Sequence, residues 1–236
     1  MGYFGSKATS GLYQAIIALM PPHEIYIETH LGGGAIMQRK HPSFKSIGID
    51  IDPAALKKFE CSYPVDLLNE CAHNFLRNHD YTGTELVYCD PPYLLSTRTS
   101  QRRYRFEYTK EQHRELLEIL KTLPCNIIVS GYRSLLYDNL LADWNTIELQ
   151  VMNQGGVRTE KLWFNFTANR VHSAKFAGRN FTHRQCIKRK VERWKKNYAA
   201  MPHAERVAIM AGLMEAESQM SKDFASNREA ALNGLN

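Results

Sequence analysis

The chain has 236 residues, 44% of them hydrophobic, with 30 Lys and Arg against 24 Asp and Glu and a net charge of +6. That suffices for one good-sized domain with an appendage, and the composition is that of an ordinary globular protein. No apolar run approaches the ~20 residues that span a bilayer, and the N-terminus lacks the charged and apolar regions of a signal peptide. Five scattered cysteines (Cys61, Cys71, Cys89, Cys125 and Cys186) show neither a zinc spacing nor a disulfide framework. The expectation is a reduced, cytoplasmic protein with no membrane partner and no metal. The positive balance permits a polyanionic partner without requiring one.

The opening Gly2-Tyr3-Phe4-Gly5-Ser6-Lys7 is glycine-rich. Its fit to the loose myristoylation pattern is read as chance. Lys7 is not a Walker lysine, because the glycines before it are wrongly spaced; its plain reading is solvated surface. A helix is predicted through Leu12, Ile16 and Leu19, stopped by Pro21-Pro22. Glu24 to Glu28 reads as a strand, followed by Thr29-His30-Leu31-Gly32-Gly33-Gly34-Ala35 and a predicted helix. Strand, glycine turn and helix bring backbone amides close to a bound cofactor, although the match to G-x-G-x-x-G is poor. His30 is assigned no chemistry.

Ser46 to Asp50 is a second predicted strand, ending in an acid placed to accept from ribose hydroxyls. Asp52 is a rival for that role, or else the cap of a helix beginning at Pro53. Asp66 falls at a predicted loop-to-helix junction, where a cap and a cofactor contact are equally good readings.

Leu86-Val87-Tyr88-Cys89 suits a short buried strand, and Pro91-Pro92 forbids its continuation. Asp90 is therefore presented at a strand's carboxyl end, where open α/β sheets bind ligands. Asp90, the Pro91 carbonyl and the ring of Tyr93 together suit a planar ring bearing an amino group. The carboxylate and the carbonyl can each accept from one NH2 group, while the ring stacks. From Leu94 to Tyr108 the chain carries Arg98, Arg102, Arg103 and Arg105 interleaved with Tyr104, Phe106 and Tyr108, with no acid before Glu107. Arginine fits phosphates and guanine edges, and aromatic rings stack on bases; this favours nucleic-acid contact over a solvated loop.

Thr109 caps a predicted helix that Pro124 ends, and Cys125 to Ser130 is a further buried strand, followed by Gly131-Tyr132. Asn145 to Leu149 and Lys161 to Phe166 are predicted as an antiparallel pair at the sheet edge, joined by a loop over Asn153 to Thr159. From Gly178 the composition turns basic, with eight Lys or Arg and one Glu between Gly178 and Tyr198. Ile187, Val191, Trp194 and Tyr198 form one helical stripe, predicted to dock on the core or a partner, with Lys188, Arg189 and Lys195 among the charges around it. Pro202 interrupts, and a second helix carries Val207, Met210 and Met214.

These motifs, in this order, resemble the Dam-type N6-adenine-specific DNA methyltransferase family, particularly its short mobile-element versions, over roughly residues 1–170. The resemblance implies an α/β fold: a Rossmann-like, S-adenosylmethionine-dependent methyltransferase sheet flanked by helices (residues 1–177), with a basic helical C-terminal extension (178–236). It implies cofactor contacts from Tyr3, Gly5, Lys7, Glu28, Leu31, Gly32, Gly33, Gly34, Asp50 and Asp66, and catalysis by Asp90, Pro91, Pro92 and Tyr93. Ser130-Gly131-Tyr132 falls where the family has a substrate-pocket motif. The implied reaction moves a methyl group to the amino nitrogen of a flipped adenine in double-stranded DNA, and a companion restriction endonuclease stays open. The chain departs from the family in having Thr29-His30 where many members have Pro-Phe, and in the short stretch from Asp66 to Asp90, where a target-recognition region is usually inserted. DNA reading is therefore expected from Arg98, Arg102, Arg103 and Arg105, and backbone contact from Lys188, Arg189 and Lys195. The rival readings are an RNA adenine methyltransferase, a catalytically inactive nucleic-acid-binding regulator, and a nucleotide-cofactor oxidoreductase.

Overall fold

Two runs of buried strands alternate with helices whose apolar residues cover both faces of one sheet. The computed structural model describes Lys7 and residues 11–98, 105–153, 156–168, 181–213 and 216. Tyr3, Gly5, Arg102, Arg103, Tyr104 and Met214 lie outside the described residues. The chain divides into two compact units, Met1–Phe181 and Thr182–Asn236.

In the first unit the elements run α1 (Leu12–Leu19), β1 (Ile25–Glu28), β2 (Lys45–Asp50), α2 (Pro53–Lys58), β3 (Asp66–Asn69), α3 (Ala72–Asn78), β4 (Glu85–Cys89), a 3-10 turn (Leu95–Thr97), α4 (Lys110–Thr122), β5 (Asn126–Gly131), α5 (Leu135–Leu140), β6 (Asn145–Asn153) and β7 (Gly156–Phe164). They form a seven-stranded sheet in the order β3-β2-β1-β4-β5-β7-β6. The first five strands are parallel, and β7 enters antiparallel between β5 and β6. The order reverses between β1 and β4, so a crevice opens beyond their carboxyl ends. This is a Rossmann-like, mostly parallel sheet with flanking helices.

The strand side chains alternate between two cores, as period-2 geometry requires. Ile27, Ile49, Val87, Ile127 and Trp163 pack with Phe75, Leu116 and Leu120 on one face. Tyr26, Leu86, Tyr88, Ile128 and Leu162 pack with Ile16 and Ile17 of α1 on the other. Burying strands on both faces accounts for the unbroken apolar run at Leu86 to Cys89.

The sequence predictions for α1, α4 and the helix at Pro53 hold. Asp52 accepts from the Ala54 amide at 3.0 Å, and Thr109 and Gln112 form a reciprocal capping box on α4. Three predictions do not hold. After the glycines, residues 35–40 form turns rather than a helix. The Glu28 carboxylate accepts the Met37 amide at 3.0 Å and so takes a donor a helix would use. Asp66 opens strand β3, pairing beside Ile47, instead of a helix. The expected loop over Asn153 to Thr159 is mostly strand: β6 and β7 pair from Asn145↔Phe164 to Asn153↔Gly156.

In the second unit α6 spans Phe181–Ala200 and another helix covers 203–213. Of the predicted apolar stripe, Val191 and Trp194 are exposed, Trp194 to 58%, and Ile187 and Tyr198 are half-buried; Val207, Met210 and Leu213 of the following helix are exposed. Among the described residues, no helix is long and apolar enough to cross a membrane.

Candidate active site

The crevice at the strand-order reversal is a cleft of about 820 Å³, counted to its open mouth. Lys7, Glu28, Gly32, Asp50, Asp90 and Pro91 are among its walls, and Arg105, Phe106 and Tyr108 close one side.

The glycine turn is held by carboxylates from two neighbouring strands. Asp50, at the end of β2, accepts from the Gly32 amide at 2.7 Å through Oδ2 and from the Asp52 amide at 2.8 Å through Oδ1. Burial raises the Asp50 carboxyl above its ordinary range, against the pull of these two amides. Glu28, at the end of β1, is 3% exposed and accepts from the Tyr26 hydroxyl at 3.1 Å and the Met37 amide. Burial pushes Glu28 up to about 8. Gly34 has φ +60°, and a Cβ there would meet the Phe59 ring at 2.2 Å, so only glycine fits this turn.

Asp90 stands one residue beyond β4. Its Oδ1 accepts from Lys7 Nζ at 2.9 Å and from Ser130 Oγ at 2.8 Å. Tyr88 Oη lies 3.0 Å from the same Ser130 oxygen. Burial raises the Asp90 carboxyl, Lys7 opposes this, and Glu160 adds to it. Lys7 also lies 3.5 Å from Glu160 Oε2, donates to the Tyr93 hydroxyl, and sits 4.5 Å above the Tyr93 ring centroid. Tyr93 donates to Glu160 at 2.6 Å and meets the Tyr132 ring edge-on at 4.4 Å. Tyr93 is thus engaged by a cation, an acid and a second ring, and is not among the cleft's walls.

The structure gathers Lys7, Glu28, Leu31, Gly32, Gly33, Gly34, Asp50, Asp90, Pro91, Pro92 and Arg105 around one cleft. It does not bring Asp66 there. Asp66 sits at the amino end of β3, 63% exposed and 3.7 Å from Lys45, whereas the cleft lies at the carboxyl ends. Arg98, expected on nucleic acid, is 5% exposed and makes a two-point pair with Glu107 at 3.1 and 2.5 Å. Arg105 is 67% exposed and reaches Asp52 at 3.0 Å. Lys188, Arg189 and Lys195 are exposed on α6, with Glu192 3.4 Å from Lys195.

Two features were missed from sequence. Glu160 carries its signal in the alternation of β7, where it shares a face with the apolar Leu162 and Phe164. His30 joins Thr29 Oγ1 at 2.9 Å to Tyr108 Oη at 3.0 Å, and burial lowers it to about 3. It is a neutral ring tying the end of the arginine loop to the glycine turn.

Similar solved structures include precorrin 8W decarboxylase of Methanobacterium thermoautotrophicum, 15% identical with a TM-score of 0.47 over 70% of this chain and 97% of that one. An rRNA methylase from Streptococcus thermophilus is 15% identical, with a TM-score of 0.43 over 65% and 93%. TrmK of M. capricolum is 12% identical, with a TM-score of 0.44 over 90% and 97%. No curated protein matches the chain in sequence. A family model does match: residues 64–154, which hold the strand, proline turn and arginine loop described above, fit that of the D12 class N6 adenine-specific DNA methyltransferases.

Proposed function

We propose that the chain methylates the exocyclic nitrogen of adenine in DNA, using S-adenosylmethionine. The observation that carries this reading is Asp90, fixed through one oxygen by Lys7 and Ser130 where β4 meets the cleft. The cleft's donor set fits such a cofactor. Glu28, Asp50, Asp52 and Asp90 line it against Lys7 and Arg105. Carboxylates in that excess suit a ligand bearing a sulfonium, an ammonium and ribose hydroxyls. Gly32 to Gly34 and Asp50 would hold it, and it supplies an electrophilic methyl group.

The remaining work falls to the chain. The adenine amino group is a poor nucleophile because its lone pair is conjugated into the ring. Asp90 Oδ2 and the Pro91 carbonyl each accept one amino hydrogen, which favours a pyramidal nitrogen and frees the lone pair. Asp90 also stabilises the positive charge that develops there, a preorganised electrostatic effect. Duplex adenine must first leave the stack, at a cost of a few kcal/mol. The five cysteines are all unpaired, which suits a reducing cytoplasmic setting.

Asp90→Ala is expected to abolish methyl transfer to duplex DNA while leaving S-adenosylmethionine binding largely intact. Turnover like that of the parent would refute the assignment. Parallel assays on RNA decide the polymer: faster methylation of RNA adenine would replace DNA as the substrate.

A further inference from the structure

Among the described residues, the buried cluster around Lys7 sets its cation against two carboxylates. Asp90 is 2.9 Å from Nζ and Glu160 is 3.5 Å away, with the three side chains 4%, 15% and 9% exposed. A lone lysine–aspartate pair would be neutral, and its cation would occupy the carboxylate that the amino group needs. The second carboxylate changes this in two ways. It draws part of the lysine's attraction away from Asp90, and it stands as a second carboxylate beside it in a site of low dielectric, where a charge acts more strongly than in water. Glu160 is brought there by the antiparallel entry of β7: Leu162 pairs with Ser130, so Glu160 lies just past the carboxyl end of β5.

We propose that Glu160 is a positioning residue for methyl transfer, acting through Lys7 to keep the charge of Asp90 available to the amino nitrogen. The proposal rests on the methyl-transfer reading above. During transfer the nitrogen lone pair forms the new bond to the methyl carbon, the carbon–sulfur bond breaks, and its electron pair leaves with the sulfur. The nitrogen then carries a positive charge and one surplus proton. Asp90 takes that proton. It gives that proton up to solvent once the product leaves, and so returns to its starting form.

The test is Glu160→Gln, which keeps an acceptor for the Tyr93 hydroxyl and removes the charge. Single-turnover methylation should fall roughly 10- to 100-fold, below the scale seen when a directly contacting electrostatic group is lost. Dissociation constants for S-adenosylmethionine and DNA should stay within about twofold. Glu160→Asp, which restores the charge, should recover part of the rate. A second readout needs no activity. Asp90 is faced by Lys7, by Glu160 on β7, by Glu28 on β1, and by the Tyr88, Tyr93 and Tyr137 hydroxyls. Of these Glu160 adds a nearby negative charge, so its neutralisation should move the Asp90 midpoint to lower pH. Carbon-13 NMR of labelled aspartate, assigned with Asp90→Asn, reads this in the protein without substrate. An unmoved midpoint overturns the proposal, as does an unchanged single-turnover rate in a folded variant. It is also overturned if Tyr93→Phe reproduces the whole loss, because Glu160 would then act only by holding the tyrosine. If the parent protein methylates no adenine at all, the functional reading fails, and the titration still decides whether Glu160 sets the charge on Asp90.

Discussion

Glu28 offers a measurable link between burial and cofactor binding. It is 3% exposed at the end of β1, and burial raises its carboxyl from the ordinary 4.5 to about 8, with Asp90 adding to the rise and the Tyr26 and Met37 bonds opposing it. At about 1.36 kcal/mol for each tenfold change in proton affinity, that rise corresponds to roughly 5 kcal/mol as an upper bound. The sign follows from proton counting. Between pH 4.5 and 8 the folded chain holds a proton that the unfolded chain releases, so stability is full below 4.5 and falls as pH rises towards 8. Glu28→Gln keeps the shape and cannot ionise. Urea unfolding of the two proteins should give similar stabilities at pH 4.5, and a gap in favour of the variant that widens to several kcal/mol by pH 8. Parallel stability curves across that range would refute the reasoning. The same proton bears on the ligand: a cation in the cleft favours ionised Glu28. S-adenosylmethionine should therefore bind more tightly as pH rises towards about 8, with proton release visible by calorimetry in two buffers.

Asp50→Ala should weaken S-adenosylmethionine binding more than Asp52→Ala, because Asp50 holds the Gly32 and Asp52 amides together; calorimetry showing the reverse order would mean that Asp52 is the cofactor acid. Arg98→Ala should cost roughly 3 kcal/mol in urea unfolding, since it breaks a largely buried pair, whereas exposed Arg105→Ala should cost under about 1 kcal/mol. Among Arg102, Arg103 and Arg105, at least one alanine variant should change sequence preference by about 1–3 kcal/mol, measured on cognate and single-mismatch duplexes. Lys188→Ala with Lys195→Ala should weaken all DNA about equally and flatten the salt dependence by roughly one unit of slope for each phosphate no longer neutralised; a change in preference would reverse the two roles.

The parts of the site legible in sequence are those fixed by local backbone chemistry. Asp90 was readable because an unbroken apolar run ends in two prolines, and Asp52 because proline follows it at a helix start. Pairings across the fold were not. Arg98 and Glu107 look like any two charges in a polar loop until both are seen to be largely buried against each other. Asp66 was misplaced because an exposed four-residue strand, Asp66–Asn69, lacks the burial that makes strands recognisable. The turns after Gly34 replaced a predicted helix because the Glu28 carboxylate, nine residues upstream of Met37, captures an amide there. Lys7 was expected at the cofactor from its opening motif, and nothing local reveals that Asp90 and Glu160 receive it.

The Arg98–Glu107 pair has a consequence for how such a chain can diversify. Its two ends are anchored, at the 3-10 turn on one side and beside Tyr108 and the Thr109 cap on the other. Lengthening a closed loop is thermodynamically mild, about 0.6 kcal/mol for each doubling. Residues could therefore be inserted or exchanged between these two positions without moving Asp90 or unwinding α4. The pair works as a fastened socket, holding both ends of whatever segment lies between while the cleft behind it stays the same.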